Sequence, residues 1–227
     1  MRAVQAVHAA VRSSANSALV AISATLTCAA IIVAPPAVAQ PACPDVHVVF
    51  ARGTGEPAGI GRVGQAFVDT LRGQIPGRTL TTYGVNYPAS YDFGMAFEGA
   101  DDASGYIVNF VQSCPSTRIV LGGYSQGAAV VDMLMGIPPL GNRIGNLGAP
   151  LPAGLSPNVA AVAAFGNPAT KFGNPITSAQ HLFAGRSIDL CKDGDPICSD
   201  GRNPFAHSDY VSAGLTNQAA NFVAGLV

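Results

Sequence analysis

Apolar and polar positions along the chain fall into two alternating rhythms. Asp45-Val-His-Val-Val-Phe50 is a β-branched and aromatic run that stops at Ala51-Arg-Gly-Thr-Gly55, the pattern of a buried strand running into a loop. Ile60, Val63, Phe67 and Leu71 then recur at three- and four-residue spacing and predict an amphipathic helix that Pro76-Gly77 ends. Thr79 to Val85 predicts a second strand, followed by the aromatic loop Asn86-Tyr-Pro-Ala-Ser-Tyr-Asp-Phe93. Ile107, Phe110, Val111 and Cys114 form the apolar face of the next helix, which could carry Cys114 towards the first strand.

Arg118-Ile-Val-Leu-Gly-Gly123 predicts a third strand, and Gln126 to Leu134 continues as a helix rich in Ala, Val, Leu and Met. The Pro/Gly-rich stretch from Pro138 to Pro157 reads as irregular. Val159 to Phe165 is a fourth strand, Ile188 to Leu190 ends a fifth, and Ala219, Phe222, Val223 and Leu226 mark a closing helix. Strands alternating with helices predict a mostly parallel sheet covered on both faces, with functional groups on loops at the carboxyl ends of strands.

Residues 1–39 follow neither rhythm. Arg2 and Arg12 precede a mostly apolar run, Ala18 to Ala34, and Ala37-Val38-Ala39 supplies the small-x-small pattern of a signal-peptidase site. The expectation is a secretory signal peptide cleaved near Ala39, leaving residues 40–227 as one domain and the mature protein secreted, with retention at the cell wall as a variant of that fate. A membrane anchor fits less well, because the run contains Ser23, Thr25 and Thr27 and ends at Pro35-Pro36. Removing Arg2 and Arg12 leaves ten basic residues against 13 acidic ones, a net charge of about −3, which excludes a polyanion such as nucleic acid as partner.

Of the five cysteines, Cys28 lies in the leader. Cys43, Cys114, Cys191 and Cys198 remain, and an even number in an exported protein points to disulfides. The close spacing of the last two favours Cys43 with Cys114 and Cys191 with Cys198. A four-cysteine zinc site is disfavoured because Cys43 and Cys114 do not form a close pair. No metal or organic cofactor is implied.

Gly123-Tyr-Ser-Gln-Gly127 matches G-x-S-x-G between a predicted strand and a small-residue helix. Glycines on either side permit a strained turn that exposes the hydroxyl of Ser125 at a helix N-terminus, where partial positive charge favours an anionic intermediate. Such a serine needs a base, oriented by a carboxylate. With the chain order serine, acid, histidine, His8 and His47 are excluded by position, and His181 has only Asp132 between it and Ser125. His207 is therefore the expected base. Asp189, Asp193, Asp195 and Asp200 are the candidate acids; Asp189 alternates within a strand and Asp200 precedes a turn glycine, so the residues alone leave Asp193 and Asp195 level.

Phe50-Ala-Arg-Gly-Thr-Gly-Glu56, Gly-Tyr-Ser-Gln-Gly127, Cys-Lys-Asp-Gly-Asp-Pro-Ile-Cys198 and Phe-Ala-His207 together resemble the cutinase family, especially the secreted cutinase-like esterases of mycobacteria. The resemblance implies a small α/β-hydrolase with a central, mostly parallel sheet flanked by helices, no large lid and an exposed active site. It places the acid at Asp195 and the oxyanion hole at the backbone N–H groups of Thr54 and Gln126, with the Thr54 hydroxyl as a third donor; many cutinases carry Ser at that position. It implies a serine esterase acting on small-molecule or lipid esters of short to medium acyl chains, as a monomer with transient contact to a lipid or cell-wall surface. A polysaccharide deacetylase of the acetylxylan type, an acyltransferase using the same acyl-enzyme, and a secreted surface protein without activity are the alternatives. Ile197, Pro204 and Phe205, with the loop from Tyr87 to Phe93, are expected to form the apolar lips of the cleft.

Overall fold

The computed structural model describes residues 42–142, 146–178, 183 and 185–227. The expected leader, with His8 and Cys28, lies outside them, as does His181. Among the described residues five strands pair side by side, all parallel, in the order β2-β1-β3-β4-β5. β1 (Val46–Ala51) and β4 (Val159–Phe165) are buried along their whole length, and β3 (Arg118–Tyr124) is buried after its first residue. Central strands covered on both faces have no solvent side, which is why these three read as mainly apolar runs, interrupted by His47 in β1 and preceded by Arg118 at the start of β3. β2 (Leu80–Gly84) is an edge strand and shows Thr81 and Thr82 to solvent, while β5 (Ser187–Leu190) closes the opposite edge.

Side-chain alternation along β1 divides the core. Val46, Val48 and Phe50 point to one face, where α1 (Gly61–Gln74) supplies Val63, Phe67 and Leu71 and the closing helix α5 (Leu215–Ala224) supplies Ala219, Ala220 and Val223. Val49 and Ala51 point to the other, where α2 (Ala96–Ser113) and α3 (Gln126–Leu134) lie. Phe67 and Leu71 are fully buried, and each such side chain contributes roughly 1.5–3 kcal/mol by leaving water. α2 starts well before the face predicted from Ile107 onward. Its first turns bury Ala96, Gly99, Ala100 and Ala103, small residues that pack closely without an apolar stripe to betray them.

Cys43 is joined to Cys114, tying the entry of β1 to the end of α2, and Cys191 to Cys198 in the loop after β5. From β1 the chain steps outward to β2 and then returns to β1's other side as β3. Strand order therefore reverses between β1 and β3, and loops leaving their carboxyl ends in opposite directions open a crevice there. The loop after Ala51 and the turn at Ser125 both border it.

Candidate active site

Ser125 joins β3 to α3 with φ 57° and ψ −118°, a left-handed conformation that a side chain rarely adopts. Both flanking glycines are required by close approach. A Cβ on Gly123 would lie 2.1 Å from the Gly127 carbonyl oxygen, and one on Gly127 would lie 1.9 Å from that of Ala51. The turn is pinned by the Ser125 N–H donating to Phe165 O at 2.9 Å, and its hydroxyl sits at the start of α3. The sequence pattern thus reports a steric fact: β1, β3 and the start of α3 meet too tightly for any other residue at 123 or 127.

His207 Nε2 stands 2.8 Å from Ser125 Oγ, and its Nδ1 stands 2.8 Å from Asp195 Oδ2. Asp195 is fully buried and Asp193, two residues earlier, is exposed. Asp195 Oδ1 accepts from the Ile197 N–H at 2.8 Å, and Oδ2 also accepts from the Tyr210 hydroxyl at 2.6 Å. Burial alone would raise this carboxyl, but the hydrogen bonds from His207, Tyr210 and Ile197 outweigh it and hold the group below the usual carboxylate range. Asp200 is exposed, and Asp189 faces Asn167, Thr170 and Ile176 rather than a histidine.

The Asp195 loop is held from several sides. The disulfide closes it; Ser199 donates its N–H and hydroxyl to Asp195 O; and Gly194, at φ 86°, accepts at its carbonyl from Asn203 N–H. Tyr210 also accepts from Lys192 N–H at 3.2 Å. On the far side of His207 the Tyr124 ring stacks at 5.1 Å between centroids, and its hydroxyl donates to His207 O. Burial pushes the Tyr124 phenol up to about 12 and Tyr210 further up still, so both remain neutral donors. Neither tyrosine was singled out by the sequence, although Tyr210, three residues after His207, sits where one helical turn would bring it back to the same side.

The loop after β1 is equally constrained. Arg52, buried, donates to the backbone carbonyls of Glu56, Val85 and Tyr87, and the Tyr87 hydroxyl returns a bond to Arg52 O. The Glu56 carboxylate accepts from Gly53 N–H and Arg62 N–H. These bonds explain the Arg-Gly-Thr-Gly-Glu run as a rigid platform for Thr54. Gln126 begins α3, where backbone N–H groups have no intrahelical acceptor. The Thr54 hydroxyl, expected as a third oxyanion donor, donates instead to Gln126 Oε1 at 3.1 Å.

Thr54, Ser125, Gln126 and His207 share the wall of a cleft of about 630 Å³. Its remaining lining is largely apolar, with Tyr91, Phe93, Met133, Leu140, Leu147 and Ile197. Tyr87, expected at the lip, is buried beneath Arg52, because its hydroxyl has a carbonyl to satisfy there. Phe205 is 81% exposed and, with Pro204, does not line this cleft; Phe205 borders a smaller hollow with Lys192 and Asp209. A hydroxyl, an imidazole and a buried carboxylate joined in line form an arrangement that can attack a carbonyl carbon. Among the described residues no three His, Cys, Asp or Glu side chains gather as a metal site, and no helix is long and apolar enough to cross a membrane.

Residues 42–227 match the family model described as Cutinase. The chain belongs to the cutinase family. Cutinase-family relatives include a phospholipase, Culp4, of Mycobacterium tuberculosis, 49% identical over 219 residues that cover 95% of each chain. Carboxylesterase Culp1 of Mycobacterium bovis is 46% identical over 189 residues, covering 80% of this chain and 81% of the relative. Among solved structures, a cutinase of Trichoderma reesei in complex with a phosphonate inhibitor is 36% identical with a TM-score of 0.66, over 81% of this chain and 77% of that one. The catalytic core of an acetyl xylan esterase from the same fungus is 27% identical with a TM-score of 0.67, over 82% and 100%. The five-stranded parallel sheet is thus the core of an α/β-hydrolase fold.

Proposed function

We propose that this protein is a serine carboxylic ester hydrolase in which Ser125 is the nucleophile, His207 the general base and acid, and Asp195 the residue that orients His207. The observation that carries the reading is the unbroken line of hydrogen bonds from Ser125 Oγ through the imidazole to Asp195, opening on an apolar cleft. His207 Nε2 takes the serine proton as Oγ bonds to the ester carbonyl carbon. The negative charge on the former carbonyl oxygen is held by the backbone N–H groups of Thr54 and Gln126, each such donor being worth ~3 kcal/mol in the transition state. The alcohol departs with the proton from Nε2, leaving an acyl-serine; water then gives its proton to His207, attacks the acyl carbon and releases the acid.

The cleft's apolar lining supports esters of short to medium acyl chains as substrates. The leader-like start and the two disulfides support export, with the mature domain from residue 40 acting as a monomer. The exposed rings of Tyr91 and Phe93 beside the cleft support transient contact with a lipid or cell-wall surface. The likeness to an acetyl xylan esterase favours one second reading, deacetylation of a polysaccharide by the same residues. p-Nitrophenyl esters graded from acetyl to dodecanoyl, assayed beside acetylxylan with wild type and Ser125→Ala, test both. The ester reading expects turnover peaking at short to medium chains and abolished in Ser125→Ala. Acetate release from xylan with no longer ester accepted would replace it, and substantial hydrolysis by Ser125→Ala would remove Ser125 from its role.

A further inference from the structure

Near the C-terminal end of α3, away from Ser125 along the helix, lies a second group of polar side chains for which the reaction has no use. Asp132 is fully buried in the last turns of α3. Its Oδ1 accepts from Asn167 Nδ2 at 3.1 Å, and the same Nδ2 lies 2.9 Å from Asp189 Oδ2 on β5. Asn167 is itself fully buried and caps the short helix α4 (Pro168–Lys171) through Ala169 N–H. Asp189 Oδ2 further accepts from Thr170 Oγ1 at 2.9 Å and Ile176 N–H at 2.8 Å.

The other two carboxylate oxygens, Asp132 Oδ2 and Asp189 Oδ1, are buried and have no hydrogen-bond partner. No Lys or Arg among the described residues pairs with either group. Two ionised carboxylates sharing one amide, in the interior and without a cation, would be opposed by desolvation and by mutual repulsion. A single proton removes both difficulties. Placed on Asp132 Oδ2 it deletes one charge, and the resulting O–H supplies the donor that Asp189 Oδ1 lacks.

We propose that Asp132 and Asp189 share one proton in the folded protein, as an Asp132 Oδ2–H···Oδ1 Asp189 hydrogen bond that fastens the helix bearing Ser125 to the strand leading to Asp195. Both are then positioning residues, and that role rests on the catalytic reading above. The fastening joins three segments that meet at the site. α3 follows directly on Ser125, β5 runs into the Asp195 loop, and Asn167 follows Gly166, where an added Cβ would come within 3.0 Å of His207 Cε1 and of the Tyr210 hydroxyl. Burial first, and then the neighbouring Asp189 charge, raises Asp132 well above the usual carboxylate range; burial raises Asp189 too, against its hydrogen bonds from Ile176, Asn167 and Thr170. Asp189 is the titratable group that bears on Asp132 among the described residues.

A group raised in the folded state gives stability that is complete below its unfolded value and is lost as pH rises through the folded one. Asp132→Asn keeps the shape, replaces O–H by N–H as donor to Asp189 Oδ1 and cannot ionise. Infrared spectroscopy of wild type at neutral pH in heavy water should show a protonated carboxyl band that Asp132→Asn lacks. Melting temperatures should fall with rising pH in wild type and less in Asp132→Asn, the two converging towards acid pH. On the alkaline side, wild-type kcat should fall by up to about tenfold per pH unit, the slope of one proton, in a limb that Asp132→Asn removes while KM stays level. A spectrum with carboxylate bands only, or parallel stability profiles, would overturn the shared proton. An alkaline kcat limb unaltered by Asp132→Asn would overturn the positioning role. The band and the melting profiles do not depend on ester hydrolysis, so they stand or fall separately from the roles of Ser125 and His207, which Ser125→Ala tests.

Discussion

Tyr210 donates its phenol hydrogen to Asp195 Oδ2 at 2.6 Å, on the same oxygen that faces His207 Nδ1 at 2.8 Å. Two donors on one oxygen fix the carboxylate more narrowly than the imidazole could alone, and a hydrogen bond to a charged acceptor is worth about 1.5–3 kcal/mol. Tyr210→Phe should therefore lower kcat by about tenfold, a loss of that order, while KM stays within about twofold. The same change has an acid-side signature. Asp195's depressed carboxyl contributes stability that is present above its ordinary value of 3.8 and lost as pH falls through the folded one. Tyr210→Phe narrows that depression, so the acid-side fall in melting temperature should be smaller than in wild type and should level off at a higher pH.

Asp193 and Asp195 separate the two halves of the turn. Asp195→Asn should cost about 10³- to 10⁴-fold in kcat, because the imidazole loses the partner that sets its tautomer. Asp193→Asn, at an exposed position, should leave kcat within about twofold, since surface changes away from special features have little effect. Steady-state kinetics on the two variants decides it, and the reverse order of effects would reassign the acid.

Gly127→Ala would force a methyl to within 1.9 Å of Ala51 O and 2.6 Å of Arg52 O, backbone atoms of a central strand and its loop. A loss of more than about 4 kcal/mol, or failure to accumulate folded protein, is expected in urea denaturation. Gly73→Ala is the control. It lies in α1 with nothing within 4 Å of the added atom, and should gain up to about 1 kcal/mol from helix propensity.

His47 gives a different pH dependence. Enclosed between Thr81 Oγ1 at 2.7 Å and the Tyr106 hydroxyl at 2.9 Å, and stacked on Phe110, it is pushed down to about 4 by burial. Its neutral form supports the fold fully above the unfolded value of 6.5, and that support is lost as pH falls towards 4. The loss should reach roughly 3 kcal/mol in wild type and be largely absent in His47→Gln, as read from denaturant midpoints across that window.

The central strands were legible because a strand buried on both faces is built almost wholly from apolar residues, as β4 is throughout and β1 is but for His47. Ser125 was legible because steric crowding at 123 and 127 leaves glycine as the residue that fits. The two aspartates of the Cys191–Cys198 loop were not separable, since an irregular turn has no period to say which side chain faces inward. Buried polar partners such as Arg52, Tyr87 and Tyr210 escaped for a related reason. Each is fixed by one distant carbonyl or carboxylate, and a hydrogen bond across 35 positions in the chain, as between Tyr87 and Arg52, leaves no spacing to recognise. The start of α2 was missed because its buried face is built from alanine and glycine.

Asp195 lies inside the ring that Cys191 and Cys198 close, and that ring stays closed only where thiols are kept oxidised. In the chain-entropy account such a short ring contributes about 2.5 kcal/mol, enough to matter to one loop without deciding the fold. On the catalytic reading, a copy with this pair reduced would hold its acid slackly, so oxidation of two thiols far from any ester would tune how sharply the site works.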